Sequence, residues 1–375
     1  MTEQSNKVIP PQPGILTYTR PFRLVLRDEY DVWNPSIDDI NNETYDYVKL
    51  HRISTGLDIG LPPPLNLLIC FDGSFVLPAI KEFISHENAV AKFNQVLGEI
   101  VLGGVYFEPV EAIHIARCTF YPTGYIRAHP LHGDLHTELR TTFVSQLNSI
   151  LLMDPPTITA LEIYKAREKG LGIINVIKNL TVNFIVHGIS SFVGNHWSDA
   201  LSNFWISIEQ VVSFLWYHGI VRGERQPSIS ISGRKEFLDD NRTWTTAVRI
   251  EMLYQKSALN EEVYQLLNQA RKSRNNLIHQ GTPVTRSEAN AAFDALFYLI
   301  SKAVYNDPSA LKEVIERYKR LDPITRASKL ESKRVLQKDE VKYWMEAPPP
   351  IPGEKEWKDK PYEDSSDEMR PVETQ

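Results

Sequence analysis

The chain has 375 residues, of which 42% are hydrophobic and 10% aromatic, and it carries a formal net charge of −6. That length allows two domains with a core each, in a composition ordinary for a soluble globular protein. The negative balance argues against a dedicated duplex-DNA binder, which is normally basic. Charge is uneven along the chain: residues 353–375 hold eight acidic and four basic side chains, leaving −2 for the rest.

Residues 1–14 are polar and proline-bearing, read as a flexible tail with no secretory signal. β-Branched and aromatic runs then predict strands at Ile15–Thr19, Phe22–Leu26, Leu65–Phe71, Gly104–Phe107 and Ala112–Phe120. Asp72-Gly73-Ser74 reads as a hairpin turn. Val90, Phe93, Val96, Leu97, Ile100 and Val101 make a helical stripe closed by Gly103-Gly104. These elements predict a mixed α/β domain over 15–135. Its two cysteines, Cys70 and Cys118, lie in apolar runs and are expected to be buried free thiols in a reducing, cytoplasmic compartment.

From there the pattern turns helical, with a connector over 136–194. One helix carries Leu139, Phe143, Leu147 and Ile150; a second runs Thr157–Lys169 with Gly170 at its end; a third covers Ile173–Ile189. The apolar stretch Leu171–Gly194 is interrupted by Lys178, Asn179, Asn183 and His187, so it reads as buried helix and not as a membrane span. A bundle is predicted over 195–322. Ser198 or Asp199 caps a helix reaching His218, and Asn260 caps another with Glu261 and Glu262 in its first turn. Thr285-Arg286-Ser287-Glu288 is a capping box, and Asp307-Pro308-Ser309 opens a last helix. Residues 221–259 form an inserted loop or a short helix at Thr246–Tyr254, 323–346 a basic helix, and 347–375 a disordered tail. The fold class is therefore α+β, a mixed α/β part followed by an all-α bundle.

The helix begun by Asn260 ends in Arg274-Asn275-Asn276-Leu277-Ile278-His279. Counted in helical steps, Val263, Leu267, Ala270, Arg274 and Ile278 share one face, which puts an arginine on an apolar line. A guanidinium stays charged and is expensive to bury alone, so Arg274 is expected to face a cleft, a carboxylate or an anion. His279 adds an imidazole, a proton donor and acceptor. A fixed cation and a general acid/base are what phosphodiester chemistry needs.

At these residues the chain resembles the HEPN family (higher eukaryotes and prokaryotes nucleotide-binding), in particular its Apea-like branch. Arg274, Asn275 and His279 match the family motif of an arginine, a polar residue, a short gap and a histidine. The helix segment Phe204-Trp205-Ile206-Ser207-Ile208-Glu209 is similar to the branch's aromatic, glutamate-bearing helix. The likeness covers residues 195–320. It implies a helical bundle acting as a dimeric, metal-independent endoribonuclease with no cofactor, a homodimer through the helical domain, RNA as substrate and no membrane. In that reading His279 is the general acid/base, Arg274 offsets charge on the phosphoryl oxygens, and Asn275 holds the phosphate or orients the histidine. The nucleophile is the 2′-hydroxyl, so DNA is not cut. A toxin or antiphage effector under a regulatory partner is the role such a domain suits.

Three alternatives stand beside it. Arg274 or Arg271 pairs with Glu209 as scaffolding while His279 merely ends the helix; Arg271 is otherwise a solvent-exposed cation or a second phosphate contact. The bundle is instead a non-catalytic module that binds a nucleotide, RNA or a partner. Last, His129, His132, His136 and Asp134, preceded by His114, invite a metal-hydrolase reading. Pro130 and Gly133 break that run, so a polar loop is favoured and no metal is expected. Basic residues over 312–342 are interspersed with Glu313, Glu316 and Glu331, which favours a solvated face over an RNA track.

Overall fold

In strand β1, Gln12–Tyr18, the four residues from Gly14 to Thr17 are all buried, without the alternation of a half-solvated strand, because both faces of the sheet are covered. A computed structural model describes residues 10–31, 36, 38, 50–129, 156–222 and 232–321. β1 lies inside an antiparallel sheet of order β3-β4-β5-β1-β6-β7, with β3 at Ile53–Leu57, β4 at Leu67–Cys70, β5 at Ser74–Pro78, β6 at Ile115–Phe120 and β7 at Ile126–His129. β2, Leu24–Leu26, pairs in parallel with β8, Thr157–Thr159.

The two outer strands of the sheet meet at one end. Ile53 N–H donates to the Gly124 carbonyl at 3.1 Å, Ile126 N–H donates to the His51 carbonyl at 2.9 Å, and Arg52 bridges Tyr125. Joining them removes the open strand edge that otherwise invites pairing with another chain. On one face Ile15, Ile69, Phe75 and Leu77 enter the main core with helix α1, His86–Leu102. On the other, Leu16, Cys70, Val76, Cys118 and Ile126 form a separate buried cluster. Both thiols are free and buried as expected; burial drives Cys70 upward and pushes Cys118 up to about 12, so neither is a thiolate at neutral pH.

The helices follow as α2 (Ala160–Val176), α3 (Val182–Val193), α4 (Trp197–Trp216), α5 (Arg234–Asp239), α6 (Thr246–Gln255), α7 (Glu261–Gln280), α8 (Arg286–Tyr305) and α9 (Lys312–Arg320). One apolar cluster runs from Ile15 in the sheet through α1 to Tyr318 in α9, whose hydroxyl donates to the Val101 carbonyl. None of these helices is long and apolar enough to cross a membrane.

Several sequence expectations change. β1 starts at Gln12, inside the predicted tail. Gly104–Phe107 is an irregular segment, its apolar residues buried by packing, with Phe107 edge-on to Phe75 at 5.7 Å. Thr157 begins a strand, and the helix starts after Thr159, whose hydroxyl accepts from Glu162 N–H in a capping box. Gly170 lies inside α2, where α1 crosses so closely that a Cβ would stand 1.8 Å from the Glu99 carbonyl oxygen. The stretch read as one helix over 173–189 breaks between Val176 and Val182. His196 precedes α4 in place of Ser198 or Asp199, and the helix passes into a π-turn at Tyr217–Val221. The helix predicted over 139–150, the basic helix and the C-terminal tail lie outside the described residues.

Candidate functional site

α7 is fixed at both ends by the signals its sequence carries. Asn260 accepts from Val263 N–H through its side chain at 3.0 Å, and Gly281 closes the helix in the left-handed region at φ 65°. Val263, Leu267, Ala270 and Ser273 are buried, and Leu277 is half-buried. The buried stripe therefore passes through Ser273 and Leu277, not through Arg274 and Ile278. Arg274 and Asn275 are half-buried, Ile278 is 57% exposed, and His279 is exposed. Counting in steps of three and four admitted both lines; packing against α8 selects the one on which Ser273 Oγ donates to Glu288 Oε1 at 2.6 Å.

Among the described residues Arg274 makes one long hydrogen bond, Nη1 to Asn275 Oδ1 at 3.4 Å. Glu209 is not its partner, nor that of Arg271. The Glu209 carboxylate accepts from Trp205 Nε1 at 2.7 Å, one turn back on α4. Among the described residues no ion pair involves Arg271, Arg274 or Glu209. Arg271 is half-buried and reaches Asn268 Oδ1 at 3.5 Å, and its Nε is buried without a partner among the described residues.

Five residues along a helix turn about 500°, so Arg274 and His279 leave α7 about 140° apart around its axis with about 7.5 Å of rise between them. Asn275 projects between the two directions. One protomer thus presents the cation and the imidazole at the same helix end but on different sides. A phosphate between them needs either the reach of the arginine or a second α7 end facing the first.

Glu288, in the first turn of α8, went unnoticed among the candidate residues beyond its capping box. Burial alone would raise its carboxyl, but hydrogen bonds from Ser273 and from the Thr285 N–H and hydroxyl hold it below the usual carboxylate range, so it is ionised at neutral pH.

The other constellations stand elsewhere. His129 is in β7 with Nε2 at 2.8 Å from Thr119 Oγ1, and His114 Nδ1 accepts from Glu111 N–H at 3.1 Å. His132, Asp134 and His136 lie outside the described residues. Asp72-Gly73-Ser74 is the β4–β5 turn, with Gly73 at φ 78° and Asp72 Oδ1 accepting from Ser74 N–H at 2.9 Å. Of the basic residues on α9, Arg317 donates to the Gly104 carbonyl at 3.0 Å and Lys319 pairs with Asp294 at 2.7 Å, so both serve the fold. No family model matches this chain, and no curated protein or solved structure is significantly similar to it.

Proposed function

We propose that the protein is a metal-independent, HEPN-type endoribonuclease acting as a homodimer. The observation that carries the reading is the state of the α7 end: an exposed imidazole at a capped terminus, beside an arginine that no described carboxylate neutralises. Among the described residues its hydrogen-bond partner is the Asn275 carboxamide at 3.4 Å, whereas the buried guanidinium of Arg249 is held at 2.8 and 3.0 Å by Asn241 and Ser213. In the reaction His279 takes the proton of a 2′-hydroxyl or returns one to the departing 5′-oxygen. The 2′-oxygen bonds to phosphorus as the bond to the 5′-oxygen breaks, leaving a 2′,3′-cyclic phosphate and a 5′-hydroxyl. Arg274 offsets the charge gathering on the phosphoryl oxygens, with Asn275 bonded to it. Two α7 ends brought together supply both groups to one strand, which is why a dimer is part of the proposal. A cytoplasmic toxin or antiphage effector, restrained by the N-terminal part or by a partner, is the setting that suits this activity.

The test is a labelled RNA incubated with the full chain in EDTA. Cleavage with cyclic phosphate ends, abolished in His279→Ala and absent on an all-deoxy strand, supports the proposal. No cleavage by the unaltered protein, or equal cleavage by the variant, ends it. The divergence of the two side chains favours a second reading, a non-catalytic nucleotide- or RNA-binding module. That module binds without turnover, and binding is lost in Arg274→Ala but kept in His279→Ala.

A further inference from the structure

Beside the buried stripe of α7, its solvent face carries an unusual set of side chains. Gln265, Asn268, Gln269, Lys272 and Asn276 follow one another in steps of one to four and line a depression of about 490 Å³, completed by Ser273 and by Glu288 of α8. Exposed helix faces are ordinarily built from charged and polar residues. Here four carboxamides line the depression beside Lys272 and Glu288, with Gln265 also donating to Glu261 at 3.0 Å, and asparagine is a poor helix former. None of the large exposed hydrophobic side chains lines it, so it lacks the apolar anchor of a protein interface.

Each carboxamide offers a donor and an acceptor on one planar group, the pairing that reads the edges of nucleobases. The ionised Glu288 carboxylate repels phosphate and accepts from exocyclic amines, while Lys272 suits a backbone phosphate. His279 lies seven residues after Lys272 and three after Asn276, which places it on the continuation of the same helix face, beyond the amides. Arg274 points to another side.

We propose that the carboxamide-lined groove of α7 and Glu288 binds the bases of single-stranded RNA and leads the strand to His279. The groove thereby sets which bases flank the cleaved bond. The identity of the strand rests on the nuclease reading; the groove's preference for base edges does not.

The experiment measures binding of the four homopolymeric oligoribonucleotides and of nucleoside monophosphates to the full chain. His279→Ala serves as background so that nothing is cut. Asn268→Ala combined with Gln269→Ala is expected to weaken the preferred homopolymer about tenfold and to level the four affinities, with the salt dependence unchanged. Lys272→Ala is expected to weaken all four alike and to reduce the salt slope by about one contact. Asn276→Asp, a near-isosteric change, provides a second variant should the double one unfold. Four equal affinities in the parent, or a preference untouched by these substitutions, would overturn the proposal. So would monophosphates binding as tightly as strands, or a change in oligomeric mass showing that the face joins two copies of the chain. Base preference without cleavage by the intact protein removes the nuclease reading and leaves the groove. Cleavage without base preference does the reverse.

Discussion

Where α1 crosses α2, Glu99 is 3% exposed and accepts from Arg167 Nε at 2.7 Å; at the end of α7, Arg274 is half-buried and, among the described residues, bonds a carboxamide at 3.4 Å. The first pair is what a structural arginine requires. Its carboxylate is removed from water, its guanidinium also donates to the Asp58 carbonyl, and Gln95 donates to Glu99 at 3.1 Å. Every charge in that seam is compensated, because a buried charge left alone is strongly destabilising. The α7 end shows none of this closure. The contrast sets a buried guanidinium fixed by a carboxylate and a backbone carbonyl against a half-buried one with a single long bond to a carboxamide among the described residues, and the variants below test whether the second serves the fold or a substrate.

The seam is the place to break the comparison hardest. Gly170→Ala places a Cβ 1.8 Å from the Glu99 carbonyl oxygen, and Gly103→Ala one 1.7 Å from that of Ala166. Both obstacles are backbone, so the helices must part, and chemical denaturation should register a loss of about 3 kcal/mol or more. Gly172, two residues on in the same helix, has nothing within 4 Å of its would-be Cβ. Gly172→Ala is expected to stabilise by about 0.5–1 kcal/mol through helix propensity alone. Equal responses at 170 and 172 would show that the helices do not cross closely.

Next in size is the carboxylate itself. Glu99→Ala leaves Arg167 without its counter-charge at 14% side-chain exposure and is expected to cost about 3 kcal/mol. Glu209→Ala removes only the acceptor of the Trp205 indole, at a cost of about 1 kcal/mol. The ratio of the two, read in urea melts, separates a structural ion pair from a single hydrogen bond. A Glu209→Ala loss matching that of Glu99→Ala would mean that Glu209 does anchor an arginine.

How much of this was visible beforehand depended on whether the deciding force was local. Asn260, Gly281 and the Thr285–Glu288 box end their helices through bonds within a few residues, and each was readable in place. The turn at Gly73 was readable for the same reason. Gly170 was misread because its purpose lies in another helix: glycine at a close crossing and glycine at a helix end look alike along the chain. β5 escaped notice since Ser74 to Leu77 are buried on both faces and show no alternation. On α7 the spacing could not decide which stripe is buried. Two candidate stripes are offset by one residue, and packing against α8, with the Ser273–Glu288 bond, selects between them. The amide groove had no signal that a solvated helix lacks, apart from its scarcity of charge.

Glu288 gives a smaller, pH-dependent test of the contact between α7 and α8. Its folded-state carboxyl is held below the ordinary 4.5, so its contribution is present above that pH and is lost as pH falls through the lower folded value. Glu288→Gln should therefore cost about 1 kcal/mol at neutral pH, and the gap to the parent protein should close below pH 4.5. A gap that persists undiminished in acid would assign the loss to packing and not to the ionised cap.

The smallest effects on stability are expected where the effect on activity is greatest. Arg274→Ala and His279→Ala remove side chains that pair with no described carboxylate, so each should shift stability by no more than about 0.5 kcal/mol. Loss of a general acid/base costs about 10²–10⁴-fold in rate. The pair of measurements is more telling than either alone. If Arg274→Ala unfolds as readily as Glu99→Ala, the guanidinium has a structural partner and the α7 end is scaffold after all. If both α7 variants melt with the parent protein while cleavage collapses, then the charge left uncompensated there is spent on the substrate. Arg274→Lys narrows it further: lysine keeps the charge but loses the planar fork, so partial activity would mark Arg274 as a point charge and full loss as a two-point grip on phosphate.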